Sequence, residues 1–226
     1  MKKLLLSIVF SVLYVSSASA ELGVNIGVSG NAGLFVANAS ETFDGTIPAS
    51  DLKSKNTGTE YGAAGYGSIF IEKTLGSVLL IGIDYVPGAL ETDTTETAKS
   101  DQRTAGIGTI SASTNKIQID FEDLTTIYIG ARMGENFYAK AGMVDVEVKT
   151  NENLGTGGAY GDKTLDGIMY GVGYNHTADN GAFIRVEGNY MTFDSASVTN
   201  SNDADKVIKL KALDGVTAKL SIGKSF

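Results

Sequence analysis

Apolar and polar residues alternate along most of the chain, and AFIRVEGNYMTF (182–193) shows the pattern at its plainest. One face carries Ala182, Ile184, Val186, Gly188 and Tyr190. The other carries Phe183, Arg185, Glu187, Asn189, Met191 and Phe193. A period of two marks a strand with unlike surroundings on its two faces. Similar segments occur at 22–37, 61–74, 79–86, 117–132, 137–148, 165–174 and 207–226, which predicts eight strands. In the first, Leu22, Val24, Ile26, Val28 and Leu34 stand opposite Gly23, Asn25, Gly27, Ser29 and Asn31. In the fourth, Ile117, Ile119, Phe121, Ile127 and Ile129 stand opposite Gln118, Asp120, Glu122, Tyr128 and Arg132. In the last, Ile208, Leu210, Ala212, Val216, Leu220 and Ile222 oppose Lys209, Lys211, Thr217, Lys219 and Ser221. The Gly- and Ala-rich run 61–74 leaves its register open. The phase of 137–148 changes near Met143, which reads as a β-bulge or a change of surroundings.

Long and short connections alternate strictly. LGSV, MGEN and NHTADNG are short, the last holding an Asn-Gly turn pair, and the others are long and polar. Tight turns on one rim and free loops on the other are the signature of an up-and-down meander. The expected fold is therefore all-β: an eight-stranded antiparallel up-and-down transmembrane β-barrel. A soluble lipocalin-like barrel shares the alternation. Glycine decides between them, because Gly23, Gly27, Gly82, Gly130, Gly167, Gly171, Gly173 and Gly223 crowd the polar face. Glycine weakens a solvated strand, whereas a narrow barrel interior needs small residues beside large ones.

The polar face then looks inward. The expected interior charge network is Asp84, Asp120, Glu122, Arg132, Lys140, Arg185, Glu187 and Lys219, paired because a lone enclosed charge is costly. The apolar face carries Tyr85, Tyr174, Tyr190 and Phe226 near strand ends, where a bilayer interface selects aromatics.

Composition narrows the classes. The chain has 226 residues, no Cys and a formal charge of −8, which excludes disulfides and thiolate sites and argues against nucleic acid as a partner. MKK, a short apolar run to Val15 and SSASA read as a signal peptide over residues 1–20, cleaved after Ala20. Loss of Lys2 and Lys3 takes the charge from −8 to −10. Residues 21–226 form the expected barrel domain. No remaining stretch is long and apolar enough for a membrane helix.

The signal peptide, the eight alternating strands, FIRVEGNY in the penultimate strand and the final AKLSIGKSF together resemble the opacity-type and OmpA-type (OmpX-like) outer-membrane β-barrels over 22–226. Leu220, Ile222 and Phe226 match the family's terminal assembly signal. Ser221 and Lys224 stand where the family has Gly and Tyr. The resemblance implies recognition by the barrel-assembly machinery, contact with outer-membrane lipid and lipopolysaccharide, a monomer, and no peptidoglycan-binding domain after Phe226.

His176, the single histidine, falls in a short turn, where it reads as a solvated residue with no catalytic partner. No catalytic, cofactor or metal site is expected, and the protein reads as no enzyme. GAAGYG and GTGGAYG lack the strand–helix context of a nucleotide loop. Glu91, Asp93, Glu96, Asp101, Asp203 and Asp205 match no calcium loop and read as acidic surface. The expected function is a structural, cell-surface interaction protein with a largely plugged interior. Segments 38–60, 87–116, 149–164 and 194–206 would meet an extracellular ligand. The alternative is a small pore for ions or small solutes.

Overall fold

The computed structural model describes residues 23–44, 53–91, 95–99, 113–155 and 157–226. The signal-peptide reading of residues 1–20 falls outside them. Eleven strands run in chain order: β1 (Val24–Asp44), β2 (Lys53–Leu75), β3 (Leu79–Tyr85), β4 (Leu90–Glu91), β5 (Thr95–Lys99), β6 (Ser113–Met133), β7 (Phe137–Leu154), β8 (Lys163–Thr177), β9 (Ala182–Phe193), β10 (Ala196–Thr199) and β11 (Lys206–Ser225). Eight form a closed antiparallel ring, β1-β2-β3-β6-β7-β8-β9-β11, sealed by β11 on β1. Closure removes both sheet edges. Above Ile69–Tyr85 the wall parts: β4 and β5 stay on β6, while β2 keeps only β1 among the described residues.

The ladder can be followed once round the ring from Gly27, through Phe70, Asp84, Thr126, Val144, Gly167, Phe193 and Leu213, back to β1 at Ala37. The path climbs ten residues in one circuit. With about 3.3 Å per residue and about 4.8 Å between strands, a climb of ten over eight strands gives a tilt of about 40° and a backbone radius of about 8 Å. Each residue then rises about 2.5 Å along the barrel axis, and residues at one height are offset by about 1.25 positions per strand. Such a lumen must be filled by side chains.

Strand turns occupy the lower rim. Gly76, Gly134 and Gly181 have φ of 64°, 73° and 81° there, a backbone state that glycine enters without a Cβ clash. From this rim upward the barrel is inverted. Ile26, Val28, Ile129, Val172, Val186, Leu220 and Ile222 are exposed on the outside, while Asn25, Ser29, Glu72, Lys140, Arg185, Glu187, Lys219 and Ser221 are buried inside.

About five to seven residues above mid-height the outer surface changes. Asp123, Asp145, Asp166, Asp194 and Asp214 lie at one level on β6 through β11. Tyr85 and Tyr190 reach up to Asp123 and Asp214 with hydrogen bonds of 2.8 and 2.9 Å. Above this level the barrel continues the right way round. Val86, Leu124, Val144, Val146, Leu165, Met169, Met191, Phe193 and Leu213 form a buried apolar core around the aspartate level, and the outward side chains above it are mostly polar.

The structure settles the open reading at Met143 and corrects three expectations. Strand β7 keeps one phase throughout, with Tyr138, Lys140, Val144 and Val146 all inward. Its apparent change near Met143 is a change of surroundings. The bulge lies opposite, on β6 between Glu122 and Thr125, where Asp123 has φ 54°. It turns Phe121 onto the core and sends Asp120 and Glu122 outward. A second irregularity, between Asn38 and Ala39 against β11, lets Leu210 pack on the core instead of facing outward. The long connections are also largely strand: β1 and β2 pair as far as Asp44 and Lys53, and β5 and β6 as far as Lys99 and Ser113. A ribbon with water on both faces shows no apolar alternation, so polarity alone reads as loop.

Candidate functional site

Six ionised side chains converge inside the barrel near mid-height: Glu72 (β2), Asp84 (β3), Lys140 (β7), Arg185 and Glu187 (β9) and Lys219 (β11). Three carry negative charge and three positive, so the cluster is neutral. Arg185 crosses the lumen and donates through both terminal nitrogens to Glu72, at 3.0 and 3.1 Å. A bidentate guanidinium–carboxylate pair fixes direction as well as distance. Asn25 and Tyr128 complete the Glu72 carboxylate with hydrogen bonds of 2.8 and 3.1 Å, and Arg185 Nε donates to Asn175 at 3.2 Å. Glu187 takes Lys140 at 2.7 Å and the Tyr138 hydroxyl, and lies 3.9 Å from Arg185. Lys219 pairs with Asp84.

Aromatic rings fill the space between the charges. Arg185 lies 5.0 to 5.2 Å from the ring centres of Tyr138, Phe70 and Phe183, and Lys140 lies 4.6 Å from that of Tyr128. Glycines make this density possible. A Cβ on Gly82 or Gly173 would meet Tyr128 or Tyr138 at 2.5 or 2.4 Å, and one on Gly171 would meet Asn189 Oδ1 at 2.3 Å. Above the charges, Asn31, Tyr66, Asp84, Thr126, Lys140, Asn189 and Lys219 border a cavity of about 20 Å³, room for about one water. The apolar core closes the lumen over it.

Of the eight residues expected in the network, five meet there: Asp84, Lys140, Arg185, Glu187 and Lys219. The other three do not. Asp120 accepts from Asn151 on the outer face at 2.5 Å, and Glu122 pairs there with Lys149. Arg132 points to the lower mouth, exposed, and donates to Thr74 at 3.2 Å. The sequence reading missed Glu72, the direct partner of Arg185. IFIEK places Ile69 and Ile71 on one face and Phe70 and Glu72 on the other, but the adjoining glycines and alanines hid which face was which.

The aromatics fall in two tiers on the outer surface. Tyr85 and Tyr190 sit about three residues above mid-height, and Tyr174 and Phe226 sit two to five below. Phe137 joins the lower tier, its ring centre 5.2 Å from that of Tyr174. Tyr61 is 82 % exposed on the upper part of β2. Leu220 and Ile222 face outward on the closing strand, and Phe226 exchanges backbone hydrogen bonds with Val24 at 2.9 and 3.2 Å. The final residue therefore helps to close the ring.

No family model matches the chain, and no curated protein matches it in sequence. Solved structures do. Ail, the attachment invasion locus protein of Yersinia pestis, is 11 % identical over 88 % of this chain and 99 % of its own, with a TM-score of 0.39. The outer membrane protease OmpT from Escherichia coli is 11 % identical over 93 % and 99 %, at 0.43. The outer membrane protein OprG from Pseudomonas aeruginosa is 12 % identical over 88 % and 96 %, at 0.47.

Proposed function

We propose that the chain is an outer-membrane protein of the opacity and OmpA-like type, exported through a cleaved signal peptide. In this reading its barrel is a closed anchor and its function lies in the extension that stands above the membrane. The observation that carries the reading is the inverted barrel with its filled lumen. Exposed Ile, Val and Leu surround a neutral, hydrogen-bonded charge network, which an apolar core caps. From the lower turns to the level of Asp123, Asp145, Asp166, Asp194 and Asp214, the apolar outside spans about ten to twelve residues. That is about 25–30 Å of height, the thickness a bilayer's hydrocarbon demands. Side chains that stay apolar on the outside need lipid around them, since water would leave this surface unburied.

A filled lumen supports surface interaction over transport. Contact with lipopolysaccharide, other cells or host surfaces falls to the polar outer faces of the paired ribbons β1–β2, β5–β6–β7 and β10–β11. In this reading the protein is not an enzyme.

The absence of cysteine makes the membrane placement directly testable. Single cysteines would be introduced at outward positions and challenged in proteoliposomes with a membrane-impermeant maleimide. Val28→Cys, Val172→Cys and Leu220→Cys are expected to stay unlabelled until detergent is added, while Asn153→Cys and Lys209→Cys label at once. Equal labelling of all five would overturn the proposal.

A further inference from the structure

The upper extension carries a second polar constellation on its outer wall, well away from the lumen. Above the bulge, β6 turns its even-numbered side chains outward and β7 its odd-numbered ones. The ladder sets Lys116 opposite Asn153 and Gln118 opposite Asn151. Thr150 and Glu152, whose side chains turn to the other face of β7, also border this open depression of about 490 Å³.

The lining has a definite chemical character. Three amides offer donor and acceptor side by side, next to an ammonium, and no apolar side chain borders the space. Two amides are held in place from below: Asn151 donates to Asp120 at 2.5 Å and Gln118 to the same carboxylate at 3.4 Å. Glu152 is fixed by the β7–β8 connection, its Oε1 accepting from the Tyr160 and Gly161 N–H groups at 2.5 and 3.4 Å. Its Oε2 is buried and accepts no hydrogen bond. Lys116 is already engaged by Glu96 at 2.6 Å. With Glu96 and Asp120 against Lys116, the surroundings lean acidic, which disfavours a phosphate or sulfate. A neutral ligand with several hydroxyls, each both donor and acceptor, matches this set.

Position names the source. These residues lie about ten to thirteen positions above mid-height, about 25 to 32 Å along the axis. The apolar belt ends about 12 to 18 Å above mid-height, so the depression stands some way beyond the hydrocarbon and faces sideways along the membrane plane. The molecules standing beside it at that height are the sugars of neighbouring glycolipids.

We propose that this outer face of β6 and β7 is a saccharide-binding site, which takes neutral sugars of the core oligosaccharide of lipopolysaccharide packed beside the barrel. The inference deepens the membrane reading above and rests on it. Isothermal titration of the detergent-solubilised full chain tests it. The titrants are core oligosaccharide released by mild acid from the producing bacterium's lipopolysaccharide and, separately, its lipid A. The oligosaccharide is expected to bind, with affinity reduced at least about tenfold in the Asn151→Ala/Asn153→Ala double variant. Asp179→Ala, in the exposed lower-rim turn between β8 and β9, should leave it unchanged. Absence of oligosaccharide binding in a barrel whose gel mobility changes on boiling would overturn the site. So would unchanged binding by the double variant, or binding of lipid A alone. A chain that proves soluble without detergent would overturn the membrane reading, and with it the membrane glycolipid as the source.

Discussion

Glu72 and Arg185 lie 113 positions apart in sequence and carry the interior between them. Both are removed from water, so their attraction must offset two desolvation penalties, and it does so only with every lone pair and N–H engaged. Losing one partner is therefore worse than losing both. Arg185→Leu should destabilise the folded barrel by about 3–5 kcal/mol, whereas Glu72→Leu/Arg185→Leu should recover much of that. Urea midpoints of the detergent-refolded variants read the difference, and equal midpoints for single and double variants would contradict it. On the outer wall, Glu122 holds Lys149 through a hydrogen bond and its charge, which raises the Lys149 pKa above the ordinary lysine value. A lysine whose folded pKa is raised adds stability below its unfolded pKa and loses it as pH rises through the folded one. NMR titration of the Lys149 ammonium should show its midpoint fall back in Glu122→Gln. No shift between the two would mean the pair is screened away.

At the scale of the element, environment decides what a residue does. One strand, β7, passes from Ala139, Ala141 and Met143 outward to Asp145, Glu147 and Lys149 outward, with its backbone unbroken. The same substitution should therefore behave differently by height. Val172→Arg, near the middle of the belt, should cost about 2–4 kcal/mol, and Asn153→Arg close to nothing. Midpoints in lipid vesicles measure both, and equal costs would remove the belt from the account. The bulge offers an independent check. Asp123 sits at φ 54°, where glycine fits without strain, so Asp123→Gly should keep the fold's stability while Asp123→Val loses on the order of 1 kcal/mol.

These elements show what the sequence disclosed. Strand β9 was legible in full, and β3 and most of β8 with it, because one face is apolar and the other is glycine or charge. Strand β8 runs on to Thr177, so His176, read as a turn residue, is paired in the strand opposite Ile184. The network was legible wherever such a strand carried it. Asp120 and Glu122 were misplaced because one extra residue at the bulge makes the faces on its two sides opposite in phase, and a bulge leaves no periodic trace of its own. Glu72 escaped because small residues on both faces of β2 erase the contrast that sets the register. The ribbons beyond the belt escaped for the same physical reason: with water on both sides, neither face is selected for apolarity.

For the whole molecule, the proposal is an inverted barrel in the membrane, closed by charges that cancel and by an apolar cap, with function in the extension above. The lumen is the decisive part, and single-channel recording of refolded residues 21–226 in planar bilayers tests it most directly. Boiled and unboiled protein would first be compared on a detergent gel to establish folding. The folded wild type should stay silent. Glu72→Ala/Arg185→Ala, where the central crossing pair is gone, should pass intermittent current. Discrete, sustained current steps from the wild type would contradict the proposal and make the protein a small pore.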